Sequence, residues 1–189
     1  MKKNIYSAKN SRCKISPNQA LYDDELLERM YNYIDTKPKF YTGDDIANLR
    51  TFFRNAGKWA CKVANFSPNV ARKIYERYMP KHNAYILDYS CGFGSRMLGC
   101  LSSKNDYTYF GIDPNTKLCK RLNMLGEFIN EEKPCNYKIY CQGSEQKIDE
   151  LVNMIDLAFS SPPYFNLETY TDESTQSTNK FSNYELWLN

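Results

Sequence analysis

Hydrophobic positions in the first third of the chain recur at helical spacing. Leu21, Leu26, Leu27, Met30, Tyr31 and Ile34 follow the acidic start Asp23-Asp24, which predicts an amphipathic helix stopped by Lys37-Pro38. A second helix is expected after Thr42, with Asp45 completing its cap and Ile46, Leu49 and Phe53 on the buried face. Ser67-Pro68 reads as another helix start, with Val70, Ile74 and Tyr78 sharing one face and Met79-Pro80 as the stop.

From Ala84 the pattern changes. Short apolar runs over Ala84 to Asp88, Tyr107 to Asp113, Tyr137 to Cys141 and Met154 to Ser160 predict strands. Helical stretches over Ser95 to Ser102, Lys117 to Ile129 and Gln146 to Val152 lie between them. This alternation predicts βαβ units and an α/β fold, with parallel strands flanked by helices and ligands outside the carboxyl ends of the strands. The polar stretch Thr171 to Lys180 has no apolar periodicity and is expected to be a mobile loop. Ser182 and Glu185 then form a capping box before Leu186, Trp187 and Leu188, so a further helix is expected. The predicted organisation is a helical amino-terminal region over 1–64 and an α/β domain over 65–189.

Composition narrows the class of protein. At 189 residues, 42% hydrophobic and 25% charged, the chain is long enough for one good core and is not compositionally disordered. No run approaches the roughly 18 apolar residues of a membrane span, and the first residues lack a signal peptide's apolar centre. A soluble, cytoplasmic protein is expected. The seven cysteines (13, 61, 91, 100, 119, 135 and 141) contain no C-x-x-C pair, and His82 is the single histidine. Reduced thiols and no metal are therefore expected, and Ser-His-Asp or Cys-His hydrolysis is disfavoured. A net charge of +3 permits a polyanionic partner without demanding one. Arg54, Lys58 and Lys62 form a modest basic face, readable as a solvated helix surface or as a DNA contact. Abundant asparagine, lysine and tyrosine hint at AT-rich coding, as in a phage or a low-GC bacterium.

Candidate chemistry collects at the predicted strand ends. They carry Asp88 with Gly92 and Gly94, then Asp113, then Gly143-Ser144-Glu145, then Ser160-Ser161-Pro162-Pro163-Tyr164. Two glycines after a strand let backbone amides approach a ligand, although any tight turn could use them. An acid ending the second strand suits the paired hydroxyls of a ribose, and Asp113-Pro114 suits a helix start equally well. Together these features indicate a cofactor that contains a nucleoside. Pro162 and Pro163 stiffen the backbone and leave carbonyls free, while Tyr164 offers a flat face for a base; a proline turn before a buried tyrosine is the plainer alternative.

The combination resembles the S-adenosyl-L-methionine-dependent DNA amino-methyltransferases. Their cofactor motif D-P-F-x-G-x-G is matched by Asp88-Tyr89-Ser90-Cys91-Gly92-Phe93-Gly94, with Tyr89 and Ser90 replacing proline and phenylalanine. Their catalytic motif [D/N/S]-P-P-[Y/F/W] is matched in full by Ser161-Pro162-Pro163-Tyr164. Phe66-Ser67-Pro68 is similar to the segment these enzymes place over the cofactor. The likeness covers about Asn65 to Leu188. It implies a Rossmann-like methyltransferase sheet, with the cofactor held by Phe66, Asp88, Ser90, Gly92, Gly94, Asp113, Ser144 and Glu145. Catalysis would fall to Ser161, Pro162, Pro163 and Tyr164. The implied reaction is methyl transfer to the exocyclic amine of a base flipped out of DNA, within a restriction-modification system or a phage. Within the family it resembles, serine at the first motif position is more typical of enzymes acting on cytosine, with adenine a close competitor.

Two alternatives stay open. Pro-Pro-Tyr motifs also serve methylation of RNA bases and protein amides, and a fragment or binding subunit could keep the fold without turnover. Such catalytic domains normally continue with further strands and a target-recognition region, yet 25 residues follow Tyr164. The expectation is a truncated or split chain, or one completed by a partner chain or dimer mate that supplies the missing strands.

Overall fold

A computed structural model describes residues 8–10, 15–20, 22–36 and 63–188. The expected helix after Thr42, the basic side chains of Arg54, Lys58 and Lys62, and Cys13 and Cys61 lie outside the described residues. The chain groups into two compact units. One takes in Met1–Ala64, Tyr164–Asp172 and Trp187–Asn189, and the other takes in Asn65–Pro163 and Glu173–Leu186.

In the first unit, strand β1 (Lys9–Asn10) pairs antiparallel with Glu168–Thr169. Helix α1 (Pro17–Ala20) begins with a reciprocal cap. The Gln19 amide donates to Ser16 Oγ at 3.3 Å while the Ser16 amide donates to Gln19 Oε1 at 3.0 Å, which satisfies two helix-start donors at once. Helix α2 (Asp24–Asp35) is the predicted amphipathic helix. Asp23 Oδ1 accepts from the Leu26 amide at 3.0 Å, so Asp23 is its cap, and Met30 is buried.

The second unit is built on a parallel sheet. Helix α3 (Pro68–Tyr78) begins on Ser67-Pro68 as the sequence predicts, although the Ser67 hydroxyl makes no capping bond. It leads into β2 (Tyr85–Asp88), α4 (Ser95–Leu101), β3 (Thr108–Ile112), α5 (Thr116–Glu132), β4 (Asn136–Tyr140), a 3-10 turn over Asp149–Leu151 and β5 (Leu157–Ala158). The sheet order is β4-β3-β2-β5, and every pairing is parallel. The fold is therefore α/β, a small sheet of four parallel strands flanked by helices.

The elements form where the sequence packs them. Ile86, Tyr109, Met97, Cys100, Leu101, Leu122, Ala71 and Tyr75 join in one buried cluster between sheet and helices. Helices α3 and α4 touch closely at Gly99, where an added Cβ would lie 2.5 Å from the Pro68 carbonyl oxygen. The two-residue β5 is shorter than the predicted strand, and the residues on either side of it stay bonded to β2. Asp156 Oδ2 accepts from the Tyr85 amide at 2.8 Å, and the Phe159 amide donates to the Leu87 carbonyl at 2.9 Å. The predicted helix over Gln146 to Val152 contracts to the single 3-10 turn.

The polar stretch after Thr171 is a correction to the sequence reading. Thr171 and Gln176 are buried, Ser177–Lys180 forms the short helix α6, and Tyr184–Leu188 forms α7. The Leu186 amide donates to Asn183 Oδ1 at 2.9 Å, so Asn183 rather than Ser182 caps α7. Among the described residues no helix is long and apolar enough to cross a membrane.

Strand order fixes where a ligand could sit. From β2 the chain adds β3 and β4 on one side and then returns to place β5 on the other. In such sheets the crevice opens outside the carboxyl ends, where the direction of winding reverses. Register brings Asp88 level with Gly111, Ile112 level with Tyr140, and Leu87 level with Ala158. Asp88, Asp113, Cys141 and Ser160 thus emerge along one edge.

Candidate functional site

Asp88, the last residue of β2, is fully buried. Such a carboxylate is costly unless its oxygens are filled by donors. Arg96, in the first turn of α4, donates from Nε to Oδ2 at 2.7 Å and from Nη2 to Oδ1 at 3.2 Å. The Tyr109 hydroxyl donates to Oδ2 at 2.7 Å and the Ser160 hydroxyl to Oδ1 at 2.7 Å. The Ser90 amide adds a longer contact of 3.4 Å. Burial, and then the Asp88 charge, push the Tyr109 phenol well up, so it remains a donor. Asp88 therefore anchors the protein's own groups: the glycine turn, α4, β3 and the end of β5.

The turn after Asp88 adopts the shape that its glycines permit. Gly92 has φ 54° and Gly94 φ 81°, both in the left-handed region. An added Cβ on Gly94 would meet Leu122 Cδ2 at 2.7 Å, whereas one on Gly92 would meet only the Ser90 carbonyl oxygen, at 3.8 Å. The Gly92 side of the turn is thus open, and the Gly94 side is closed by α5. Arg96 also donates to the Ser90 carbonyl, which pins the turn from beneath.

Asp113 follows β3 and faces this turn. Its Oδ2 accepts from the Gly92 amide at 3.1 Å and its Oδ1 from the Asn115 amide at 2.9 Å. Each oxygen keeps acceptor capacity beyond its one backbone donor. Burial pushes the Asp113 carboxyl up from 3.8 to about 6, against the pull of those two amides. The helix-start alternative for this stretch falls to Asn115, whose side chain caps α5 by accepting from the Leu118 amide at 3.1 Å.

Phe66 stands at the same edge. Its ring meets Phe159 edge-on at 5.5 Å, and the Arg96 guanidinium lies 5.9 Å from its centroid. Phe159 in turn meets Tyr75 edge-on at 5.8 Å. These rings join the Asn65 segment to the strand that leads into Ser160 and Ser161.

Ser144 and Glu145 are exposed beyond β4, and the Glu145 carboxylate is paired with Lys180. The Lys180 hydrogen bond holds the Glu145 carboxyl below its usual range, against a partial burial that works the other way. Glu173 binds the start of α5, accepting from the Thr116 amide at 3.2 Å and the Thr116 hydroxyl at 3.0 Å. The segment from Glu173 to Lys180 thus lies across the ends of β3 and β4.

Ser161 and Pro162 are exposed, and Pro163 is half-buried. Tyr164 is 67% exposed, which excludes the buried-tyrosine alternative raised by the sequence. Phe165 follows at φ 34°, a backbone conformation uncommon outside glycine. Its ring stacks at a tilt on Trp187, 5.9 Å between centroids.

The structure brings Phe66, Asp88, Ser90, Gly92, Gly94 and Asp113 together, and Ser144 and Glu145 stand exposed beyond the end of β4. The sequence reading missed Arg96 and Tyr109, and it named Ser160 at its strand end without a role. A buried arginine needs a carboxylate, so Arg96 inside an apolar helix was an available signal for its partner. Among the described residues no cluster of three or more histidine, cysteine or acidic side chains could hold a metal ion. No protein-family model matches the chain, and no curated protein is similar enough to count as a relative, so the chemistry of this edge rests on its own geometry.

Proposed function

We propose that the chain is an S-adenosyl-L-methionine-dependent amino-methyltransferase, with a Rossmann-like sheet, acting on the exocyclic amine of a base flipped from DNA, cytosine before adenine. One observation carries this reading: the Asp88–Ser160 hydrogen bond ties the start of Ser161-Pro162-Pro163 to the glycine turn that Asp113 also holds. Methyl acceptor and methyl donor would then share one strand edge.

The residues present fit the cofactor in its polar part. Asp113 offers desolvated carboxylate oxygens with acceptor capacity left, and two ribose hydroxyls are suitable donors. The Gly92 side of the turn is open to a ligand, with Ser90, Gly94 and Phe66 around it. Ser144 would meet the adenine ring beside the Glu145–Lys180 pair. Asp88 would position the turn and the Ser160 loop without touching the ligand, because its oxygens already serve internal donors. When bound, the cofactor supplies a methyl group activated by a positively charged sulfur.

The remaining chemistry belongs to the chain. Tyr164 would stack on the flipped base. The Ser161 hydroxyl and the Pro162 carbonyl would accept hydrogens of the amine, aiming its lone pair and stabilising positive charge as the nitrogen is alkylated. Cys91 is buried and not required as a nucleophile.

The test is transfer of labelled methyl onto DNA, RNA and protein in parallel, with Ser161→Ala and Tyr164→Ala as controls. The expected result is label on DNA, reduced about 100-fold or more by either substitution. Label on RNA or protein alone, or label on DNA that survives both substitutions, overturns the reading. Digestion of labelled DNA to nucleosides decides between cytosine and adenine.

A further inference from the structure

Two cysteines flank Asp113 at the ends of β3 and β4. The Asp113 amide donates to the Tyr140 carbonyl at 3.1 Å, continuing the Ile112–Tyr140 register, so Cys141 leaves β4 alongside Asp113. Cys119, in the first turn of α5, donates its thiol to the Asp113 carbonyl at 3.1 Å. Both cysteines are free. Their surroundings differ sharply: Cys119 is buried and Cys141 is exposed. One thiol can therefore meet a solvent oxidant while its neighbour waits behind it.

We propose that Cys119 and Cys141 are a dithiol modification site, closed to a disulfide by a small-molecule disulfide such as oxidised glutathione. The Cys141 thiolate attacks one sulfur of the oxidant, breaking its S–S bond, forming a mixed disulfide and releasing one thiol. Cys119 then loses its proton to solvent and attacks the Cys141 sulfur, releasing the second thiol. One S–S bond is broken and one is formed. The protein gives up two electrons and two protons, which end on two molecules of small thiol. Burial first, and then Cys141, push the Cys119 thiol up, so Cys119 serves as the slower resolving thiol rather than the one that meets the oxidant.

The new bond would remove the S–H donor from the Asp113 carbonyl and fasten the first turn of α5 to the end of β4. Its effect on ribose binding rests on the proposed function. The bond itself does not, and its test uses no methyl donor. The full chain is incubated with oxidised glutathione, free thiols are alkylated, and peptides are mapped by mass with and without reductant.

In the wild type, the expected product is a Cys119–Cys141 linked peptide that has lost two hydrogens and carries no glutathione. With Cys119→Ser, Cys141 has no resolving thiol and retains one glutathione; with Cys141→Ser, Cys119 takes none. Circular dichroism on each variant confirms that it is folded, and the wild-type map stands without either variant. A stable glutathione adduct on wild-type Cys141, a bond from Cys141 to another cysteine, or two unmodified thiols would overturn the proposal.

Discussion

The Ser160 hydroxyl donates to Asp88 Oδ1 at 2.7 Å across 72 positions of sequence. It fastens the residue before Ser161-Pro162-Pro163 to the end of the central strand. A hydrogen bond to a buried charged group contributes about 1.5–3 kcal/mol. Ser160→Ala is expected to lower unfolding stability by about 2 kcal/mol in urea. An unchanged midpoint would mean that Arg96 and Tyr109 hold Asp88 without it.

The Arg96–Asp88 pair is the costliest contact to break, since both side chains are nearly excluded from water. Arg96→Met leaves a buried carboxylate without its main partner and is expected to cost about 3–5 kcal/mol. Adding Asp88→Asn removes the stranded charge and recovers part of that loss. Denaturation of the single and double variants measures both steps, and a double variant as unstable as the sum of its singles would refute the coupling.

Two buried tyrosines make opposite predictions for the same change. The Tyr75 hydroxyl is buried without a hydrogen-bond partner, whereas the Tyr109 hydroxyl is bonded to Asp88. Tyr75→Phe is expected to stabilise the protein by up to about 1 kcal/mol, and Tyr109→Phe to destabilise it by about 2 kcal/mol. Melting temperatures of the pair decide the matter.

Asp113 gives the fold a pH dependence of unusual sign. Its carboxyl is raised from 3.8 to about 6, so between these values the folded protein binds a proton that the unfolded chain has lost. Stability from this group is therefore fully present below about pH 4, falls as pH rises towards 6, and then levels off. The drop is about 3 kcal/mol at 1.36 kcal/mol per pH unit. Asp113→Asn is expected to flatten this part of the stability profile, as urea titrations at several pH values would show.

Glu173 satisfies the first amide of α5 from a distant stretch of sequence. Glu173→Ala is expected to cost about 1 kcal/mol or less, because the bond is exposed. Hydrogen exchange is the sharper readout: protection is expected to fall at Thr116 while Leu122 and Gly126 stay protected.

The strands were legible because each is a short apolar run closed by a polar residue. Boundaries moved where polar side chains joined the backbone bonding, as Asp156 does beside β5. The Thr171 to Lys180 stretch was misread because it is held by Glu173 and Lys180 rather than by apolar periodicity. Asp88 and Asp113 were picked out alike as strand-ending acids. Their different surroundings depend on residues 8, 21 and 72 positions from Asp88, which bring three donor side chains to one acid and none of those to the other.

The four side chains at 88, 96, 109 and 160 form one electrostatic unit, although three separate stretches of chain supply them. Charge, donor number and volume at this point have to be conserved jointly, because each donor answers to the same two oxygens. Viable sequence drift at these positions is therefore collective: a chain that gives up the acid must also replace the arginine, or carry a buried cation with nothing to face.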